Sequence, residues 1–107
     1  MKQKNPDAFQ VIGDPSRRKI LSLLAKESLT INNLAENFDM SRPAVSKHIK
    51  VLYGAGFISI REIGRERYCT LKKDGFDELR NWINHFDGFW SSKLKRLETL
   101  LDKKMQS

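Results

Sequence analysis

The sequence predicts a mainly α-helical protein with one small β-hairpin, organised as a single domain over residues 1–107. Apolar residues recur at helical spacing in several segments, and two short β-rich runs flank Gly64. No internal repeat, low-complexity tract or Pro/Gly-rich linker divides the chain. Because 107 residues are enough for one modest hydrophobic core, these elements are expected to pack together.

Capping residues predict where the first two helices begin. A short helix can start at Asn5-Pro6 and end at Gly13. Asp14-Pro15 then provides an N-cap residue followed by a proline at the first helical position, where the missing backbone N–H costs nothing. The second helix is predicted over residues 16–26. Its buried side comprises Ile20, Leu21, Leu23 and Leu24.

Two further short helices are joined by a tight connection. Thr30 is predicted to cap a helix over residues 31–38, and Ser41 is predicted to cap a helix over residues 42–53. The second of these helices has a basic face opposite its apolar stripe. That stripe consists of Val45, Ile49 and Leu52. Two short helices with so short a connection have the spacing of a helix-turn-helix.

A hairpin is predicted directly after this pair of helices. Residues 57–63 and 67–71 are rich in β-branched and aromatic side chains, and the charged tip Gly64-Arg65-Glu66 lies between them. A helix-turn-helix followed by such a hairpin, or wing, is a winged helix-turn-helix. We expect residues 6–72 to form this core and to bind DNA.

The last segment, residues 74–104, predicts one long helix, or two helices with a bend near Asp87-Gly88. Its apolar residues are spaced by three and four, close to the heptad pattern of paired helices. A winged-helix core cannot easily cover them all, so we interpret the segment as a dimerisation helix that packs with residues 1–12. Packing on its own domain alone is the alternative. The predicted dimer residues are Phe9, Phe76, Leu79, Ile83, Phe86, Trp90, Leu94, Leu97 and Leu101.

The net charge of +7 is concentrated in the middle of the chain. Residues 41–72 contain seven Lys/Arg and two Asp/Glu, a net charge of +5, whereas residues 1–40 and residues 73–107 each have a net charge of +1. Such a focus is typical of a surface that binds a polyanion, and a solvated basic face is the alternative. The helix-turn-helix within the segment favours double-stranded DNA.

The basic face of the second helix carries side chains suited to DNA. An α-helix fits the major groove, and its first turns reach the base edges. Lys and Arg neutralise phosphates or pair with guanine, Ser donates or accepts, and wing arginines reach the adjacent backbone or minor groove. The predicted DNA-binding residues are Ser41, Arg42, Pro43, Ser46, Lys47, His48, Lys50, Arg65 and Arg67.

Four of these residues have alternative roles. Lys50 could be a solvated surface lysine. Arg65 and Arg67 could pair with Glu62 and Glu66 across the hairpin, an interaction worth less than about 1 kcal/mol at a surface. His48 lies at the edge of the apolar stripe. It could donate to a phosphate, or it could be a packed, hydrogen-bonded structural residue, and the sequence leaves both readings open.

The composition argues against several other classes of protein. No apolar run approaches the roughly 18 to 20 residues that span a membrane, and no signal peptide is visible, so a cytoplasmic protein is expected. No Gly-rich phosphate loop, nucleophile elbow or paired His/Cys set is present, so neither an enzyme nor a cofactor is expected. Cys69, the sole cysteine, excludes an internal disulfide and is read as a small core residue.

Two motifs in the right order resemble the ArsR/SmtB family of bacterial repressors. They are DPSRRKIL at residues 14–21 and SRPAVSKHIKVL at residues 41–52, and the wing at residues 61–68 is also similar to the family pattern. The resemblance covers about residues 6–72. It implies a homodimer built from the first and last helices, two recognition helices on an inverted-repeat operator, and repression of the protein's own or a neighbouring operon.

Within that family, the chain resembles the branch that does not sense metals. Metal-sensing members often carry a Cys-x-Cys site before the recognition helix, where residues 31–36 contain no thiol. Others use Asp and His ligands on the C-terminal helix, where His85 has no second histidine. No metal site is therefore expected.

Two other functions stay open from the sequence. A small-molecule inducer could bind among the aromatic residues at the dimer seam, although a core role for those residues is the alternative. These residues are Trp82, Phe86, Phe89 and Trp90. A winged-helix module that binds protein through the same basic surface is the other possibility, because a fold does not fix a function.

Overall fold

Side-chain caps begin the first four helices in the computed structural model, which describes residues 7–106 and their side chains up to residue 104. Asp7 caps the first helix by accepting from the Gln10 N–H at 2.8 Å. The predicted start at Asn5-Pro6 lies outside the described residues. The helices are α1 (Ala8–Ile12), α2 (Pro15–Leu24), α3 (Ile31–Ala35), α4 (Arg42–Gly54), α5 (Lys73–Asn84) and α6 (Asp87–Gln106). The strands are β1 (Leu29–Thr30), β2 (Ile58–Ile63) and β3 (Glu66–Leu71).

The predicted caps of α2, α3 and α4 are all present. The Asp14 carboxylate accepts from the Ser16 N–H at 2.8 Å. The Thr30 hydroxyl accepts from Asn33 N–H at 3.0 Å, and the Ser41 hydroxyl accepts from Ala44 N–H at 3.2 Å. Each cap satisfies a backbone donor that has no partner inside its helix, which fixes where the helix starts.

Two helices are shorter than predicted. Helix α2 ends at Leu24 instead of residue 26, and α3 ends at Ala35 instead of residue 38. After α3 the chain turns through tighter hydrogen bonds, such as Phe38 N–H to Ala35 O at 3.2 Å. Phe38 and Met40, in the chain after α3, are partly buried against the core.

The core lies between α1, α2, α3, α4 and the sheet. The apolar stripe predicted for α4 is buried, and in α2 only Leu23 of the predicted buried side is partly exposed. The buried apolar residues are Ala8, Val11, Ile20, Leu21, Leu24, Ile31, Leu34, Val45, Ile49, Leu52, Phe57, Ile58 and Cys69. This core fixes α4 between its neighbours, so the opposite side of α4 faces outward.

The wing is part of a three-stranded antiparallel sheet with the order β1-β3-β2. The sequence did not predict β1, whose two residues pair as Leu29 with Cys69 and Thr30 with Tyr68. The hairpin tip is shorter than predicted, because Glu66 already pairs with Ile63. Gly64 has a φ of 65°, a left-handed conformation that glycine adopts without strain.

The C-terminal segment is two helices, one of the two arrangements left open by the sequence. Helix α5 ends at Asn84, His85 and Phe86 form a turn, and α6 begins at Asp87. Every described side chain from residue 81 to residue 104 is exposed. The molecule measures 71 × 37 × 25 Å because α6, about 30 Å long, extends outward from α5.

The beginning of α5 is fastened to the core by Phe57. Gly75 lies against the Phe57 ring, and an added Cβ would come within 2.8 Å of its carbons. The Phe76 ring meets the same ring edge-on, with 4.9 Å between centroids. No helix in the part of the chain that is described has the length and apolar character needed to cross a bilayer.

Candidate DNA-binding surface

Helix α4 presents the predicted recognition residues on one side. Arg42, Pro43, Lys47 and Lys50 are exposed, whereas Ser46 and His48 are half-buried. Because the other side of α4 is packed into the core, its outward side chains stand on a rigid support. A helix held in this way can enter the major groove as a fixed body.

The first turn of α4 is tied to the preceding helix. The Arg42 Nε donates to Asn32 Oδ1, so the guanidinium links α3 to α4 across the helix-turn-helix connection. The Ser41 hydroxyl is occupied as the helix cap. A hydroxyl that accepts in this way keeps its own O–H to donate, so the cap leaves the predicted DNA contact of Ser41 untested. Lys47 and Lys50 extend from α4 without an ion pair to another described residue.

The wing carries two exposed arginines with different surroundings. Arg65 lies at the tip beside Gly64. The Arg67 Nε lies 3.3 Å from Glu62 Oε1, in the register that pairs Glu62 with Arg67 across the hairpin. The pairing considered as an alternative is thus present for Arg67. Both groups are exposed, so the ion pair is weak and a phosphate can compete for Arg67.

A groove of about 430 Å³ runs between α4 and the wing. Lys50 lies on one side of it and Arg67 on the other, with Ile60 and Glu62 also lining it. Tyr53, which is 56 % exposed, lies in the same groove. The sequence did not predict a binding role for Tyr53, because Tyr53 extends the apolar pattern of α4. In the structure, its exposed ring lines the same groove as Lys50 and Arg67, and only the position of the wing forms that groove.

His48 makes a polar contact that the sequence did not indicate. Its Nδ1 lies 3.3 Å from Nη1 of Arg17, which is on α2 and 31 residues away in the sequence. Nearby, the pKa of Asp14 is lowered: burial alone would raise it, but the N–H groups of Arg17 and Ser16 and the positive charge of Arg17 outweigh that effect. His48 is therefore held by α2 as well as lying on the recognition helix.

Cys69 is a core residue, as its position on a strand predicted. It is fully buried at the centre of β3, and burial raises the pKa of its thiol although the charge of Arg67 acts in the opposite direction. Within residues 7–106, no three His, Cys, Asp or Glu side chains are grouped closely enough to hold a metal ion.

The predicted dimer residues divide into three groups. Phe76 and Leu79 are partly buried against the domain's own core, so they contribute to the monomer. Phe9 lies edge-on to Trp82, with 5.2 Å between ring centroids, which brings α1 against α5. The remaining members are exposed along α5 and α6, namely Ile83, Phe86, Trp90, Leu94, Leu97 and Leu101.

A packed helix-turn-helix, followed by a two-stranded wing on a small sheet, defines a winged helix-turn-helix domain of the kind found in DNA-binding regulators. Residues 14–59 match the family described as "Bacterial regulatory protein, arsR family". The chain belongs to this family of DNA-binding transcriptional regulators. The resemblance carried by residues 14–21 and 41–52 is thereby confirmed.

Individual relatives cover most of the chain. The HTH-type transcriptional regulator Rv2034 of Mycobacterium tuberculosis is 37 % identical over 100 residues, which span 92 % of this chain and 91 % of that protein. The transcriptional repressor SdpR of Bacillus subtilis is 36 % identical over 80 residues, 75 % of this chain and 89 % of the relative. The crystal structure of an ArsR family transcriptional regulator superposes with a TM-score of 0.72 at 35 % identity, covering 79 % of this chain and 88 % of the other.

Proposed function

We propose that this transcriptional regulator is a homodimeric repressor that binds an inverted-repeat operator through α4 and the wing of each subunit. The observation that carries the proposal is the exposed basic side of α4, held rigidly by the core and continued by Lys50, Tyr53 and Arg67 of the adjoining groove. The repressors among its relatives support the direction of regulation.

The roles of the individual side chains follow from their positions along α4. Arg42, Ser46 and Lys47 lie in the first half of the helix, which approaches base edges in this type of domain. Lys50 and the wing arginines Arg65 and Arg67 are proposed to contact phosphates, where positive charge gives affinity without sequence selectivity. Such a DNA target implies that the protein acts in the cytoplasm.

Dimerisation is proposed to use the exposed apolar face of the C-terminal helices. Trp90, Leu94, Leu97 and Leu101 follow one another at steps of four, three and four, and each is more than half exposed. A continuous apolar face of this kind is unusual on a monomer. A two-fold axis through it would present two copies of α4 to half-sites about one helical turn apart.

The test begins by selecting duplexes from a random-sequence library with the full-length protein. Fluorescence anisotropy then compares the selected duplex with a scrambled one at several salt concentrations. We expect the selected duplex to bind at least about 10³-fold more tightly, with affinity falling as salt rises. Equal, weak binding to both duplexes would contradict the proposal and would favour a protein-binding module.

Two substitutions test the recognition face itself. Lys47→Ala and Arg42→Ala are each expected to weaken binding to the selected duplex by about tenfold or more, because each removes a cation near bases or phosphates. Lys95→Ala on α6 is the matched control, since Lys95 is also exposed but lies on a different helix. Unchanged affinity in both α4 variants would move the recognition face elsewhere.

A repressor gated by a small molecule is a second candidate, favoured by an apolar groove of about 330 Å³ at the junction of α5 and α6. The groove is lined by Trp82, Ile83, Phe86, Asp87 and Trp90. Adding zinc or a chelator to the anisotropy assay tests metal gating, for which we expect no change. Release of the duplex by zinc would contradict the expectation that the chain has no metal site.

A further inference from the structure

The Arg17 side chain joins three parts of the molecule. Its Nε donates to the Val11 carbonyl at 2.7 Å, and its Nη2 donates to the Gln10 carbonyl at 3.3 Å. Its Nη1 lies 3.3 Å from Nδ1 of His48. Two backbone carbonyls at the end of α1 therefore immobilise the guanidinium, and its remaining contact is directed at the recognition helix.

This contact has a chemical consequence for His48. A guanidinium nitrogen has hydrogens to donate and no lone pair to accept, and arginine stays charged in proteins. The Nδ1 of His48 must therefore be the acceptor. A neutral imidazole that accepts at Nδ1 carries its hydrogen on Nε2, so Arg17 selects one of the two tautomers.

The Nε2 of His48 is available to a ligand. It has no hydrogen-bond partner among residues 7–106. No side-chain nitrogen or oxygen that is buried in the described part of the chain lacks a partner, so this Nε2 reaches solvent. His48 follows the exposed Lys47 directly on α4, on the helix proposed to enter DNA.

We infer that Arg17 is a positioning residue, which holds His48 as the Nε2–H tautomer so that this N–H donates to a DNA phosphate. The inference rests on the proposed function and adds to it a residue on α2 and a defined donor on α4. His48 then combines the two roles that the sequence left open: one nitrogen anchors the recognition helix to α2, and the other contacts the operator.

The matched control is the neighbouring arginine. Arg18 Nη1 donates to the Ile12 carbonyl at 2.7 Å, so Arg18 also binds the end of α1, but among the described residues it has no hydrogen bond to His48. If Arg17 only secured α1, substituting Arg17 would have the same effect on His48 as substituting Arg18. If Arg17 positions His48, only the substitution of Arg17 changes His48.

The tautomer is tested on the free protein by nitrogen NMR of the imidazole rings at neutral pH. We expect His48 to have a protonated Nε2 and an unprotonated Nδ1 in the wild-type protein and in Arg18→Lys. In Arg17→Lys, which keeps the charge but loses the fork of donors, we expect a mixture of both tautomers. A wild-type His48 protonated at Nδ1 would overturn the inference.

The DNA contact is tested by replacing single phosphates of the selected duplex with uncharged methylphosphonates. We expect one phosphate in each half-site whose replacement weakens wild-type binding by about tenfold, the size of a hydrogen bond to a charged group. His48→Asn keeps an acceptor towards Arg17 but lacks the Nε2 donor, so that penalty should disappear. Arg17→Lys should reduce the penalty, and Arg18→Lys should retain it.

The outcomes separate the inference from the function on which it rests. Selective binding without any phosphate whose penalty depends on His48 would overturn the inference alone. Failure to select any duplex would overturn the proposed function. Circular dichroism tests whether each variant is folded. If His48→Asn does not fold, the conservative variant Arg17→Lys still tests the inference. Equal penalties in Arg17→Lys and Arg18→Lys would reduce Arg17 to a support for α1.

Discussion

The winged-helix body buries its large apolar side chains, whereas the C-terminal helices expose side chains of the same kinds. Phe57 and Leu52 in the body are completely buried, whereas Phe89 and Leu97 on α6 are 50 % and 53 % exposed. Apolar residues recur at regular spacing in both regions, so periodicity alone does not show whether an apolar face is covered. The difference lies in what surrounds them: the body completes its own core, while α6 has an apolar face that its own chain does not cover.

The largest expected effect tests whether the body is the independent folding unit. Phe57→Ala should lower the free energy of unfolding by about 3–5 kcal/mol, because it leaves a cavity beneath Gly75 and Phe76. Phe89→Ala should change it by about 0.5 kcal/mol or less, since half of that ring already faces solvent. Urea unfolding at a concentration low enough for monomers measures both, and equal losses would remove the contrast between the two regions.

The next effect tests what covers α6. Leu97→Glu places a charge in the apolar face, which should dissociate the proposed dimer and weaken binding to the proposed operator about 10²-fold, because the two half-sites are no longer engaged together. Sedimentation velocity and anisotropy measure the two quantities. Glu98→Gln, one residue along the helix and off that face, is the control. A Leu97→Glu protein that still sediments as the wild type would place the partner surface elsewhere.

A smaller effect concerns the helix that carries Arg17. Asp14→Ala removes the cap of α2 and should cost about 1 kcal/mol of stability near neutral pH. Urea unfolding of this variant and of Asp102→Ala on exposed α6 makes the comparison within one assay. A loss no greater than that of Asp102→Ala would mean that the cap contributes little.

The same carboxylate predicts a pH dependence. The folded pKa of Asp14 lies below its ordinary value because the N–H groups of Arg17 and Ser16 and nearby positive charge together outweigh the upward effect of burial. A carboxyl with a lowered folded pKa contributes stability that is present above its ordinary pKa and is lost as pH falls through the folded value. Below about pH 4 the wild type should lose part of its stability, and Asp14→Asn should lose less over that range. Parallel losses would contradict the assignment.

The smallest effect is at the wing. Glu62→Gln removes the partner of Arg67, and an exposed ion pair is worth less than about 1 kcal/mol, so the stability of the protein should hardly change. Arg67 is then free for phosphate, and duplex affinity should rise by at most about fivefold. Arg67→Gln should lower it. A fall in affinity for Glu62→Gln at unchanged stability would show that the carboxylate itself assists binding.

Local chemistry allowed much of this protein to be derived from its sequence. The caps Asp14, Thr30 and Ser41 determine where helices begin because they act within three residues of their own position. The stripe of α4 and the turn at Gly64 are likewise properties of short segments. The family could be identified for the same reason, because residues 14–21 and 41–52 carry its pattern in contiguous runs.

Only the tertiary structure decided the features that join distant segments. Strand β1 is two residues long and exists because β3 lies beside it, a pairing across about 40 residues that has no local signal. The same holds for Arg17 beside His48, for Tyr53 in the groove under the wing, and for Phe76 on Phe57. Local interactions act along a few residues and can be read in order, whereas burial and hydrogen bonding between remote residues depend on how the whole chain packs.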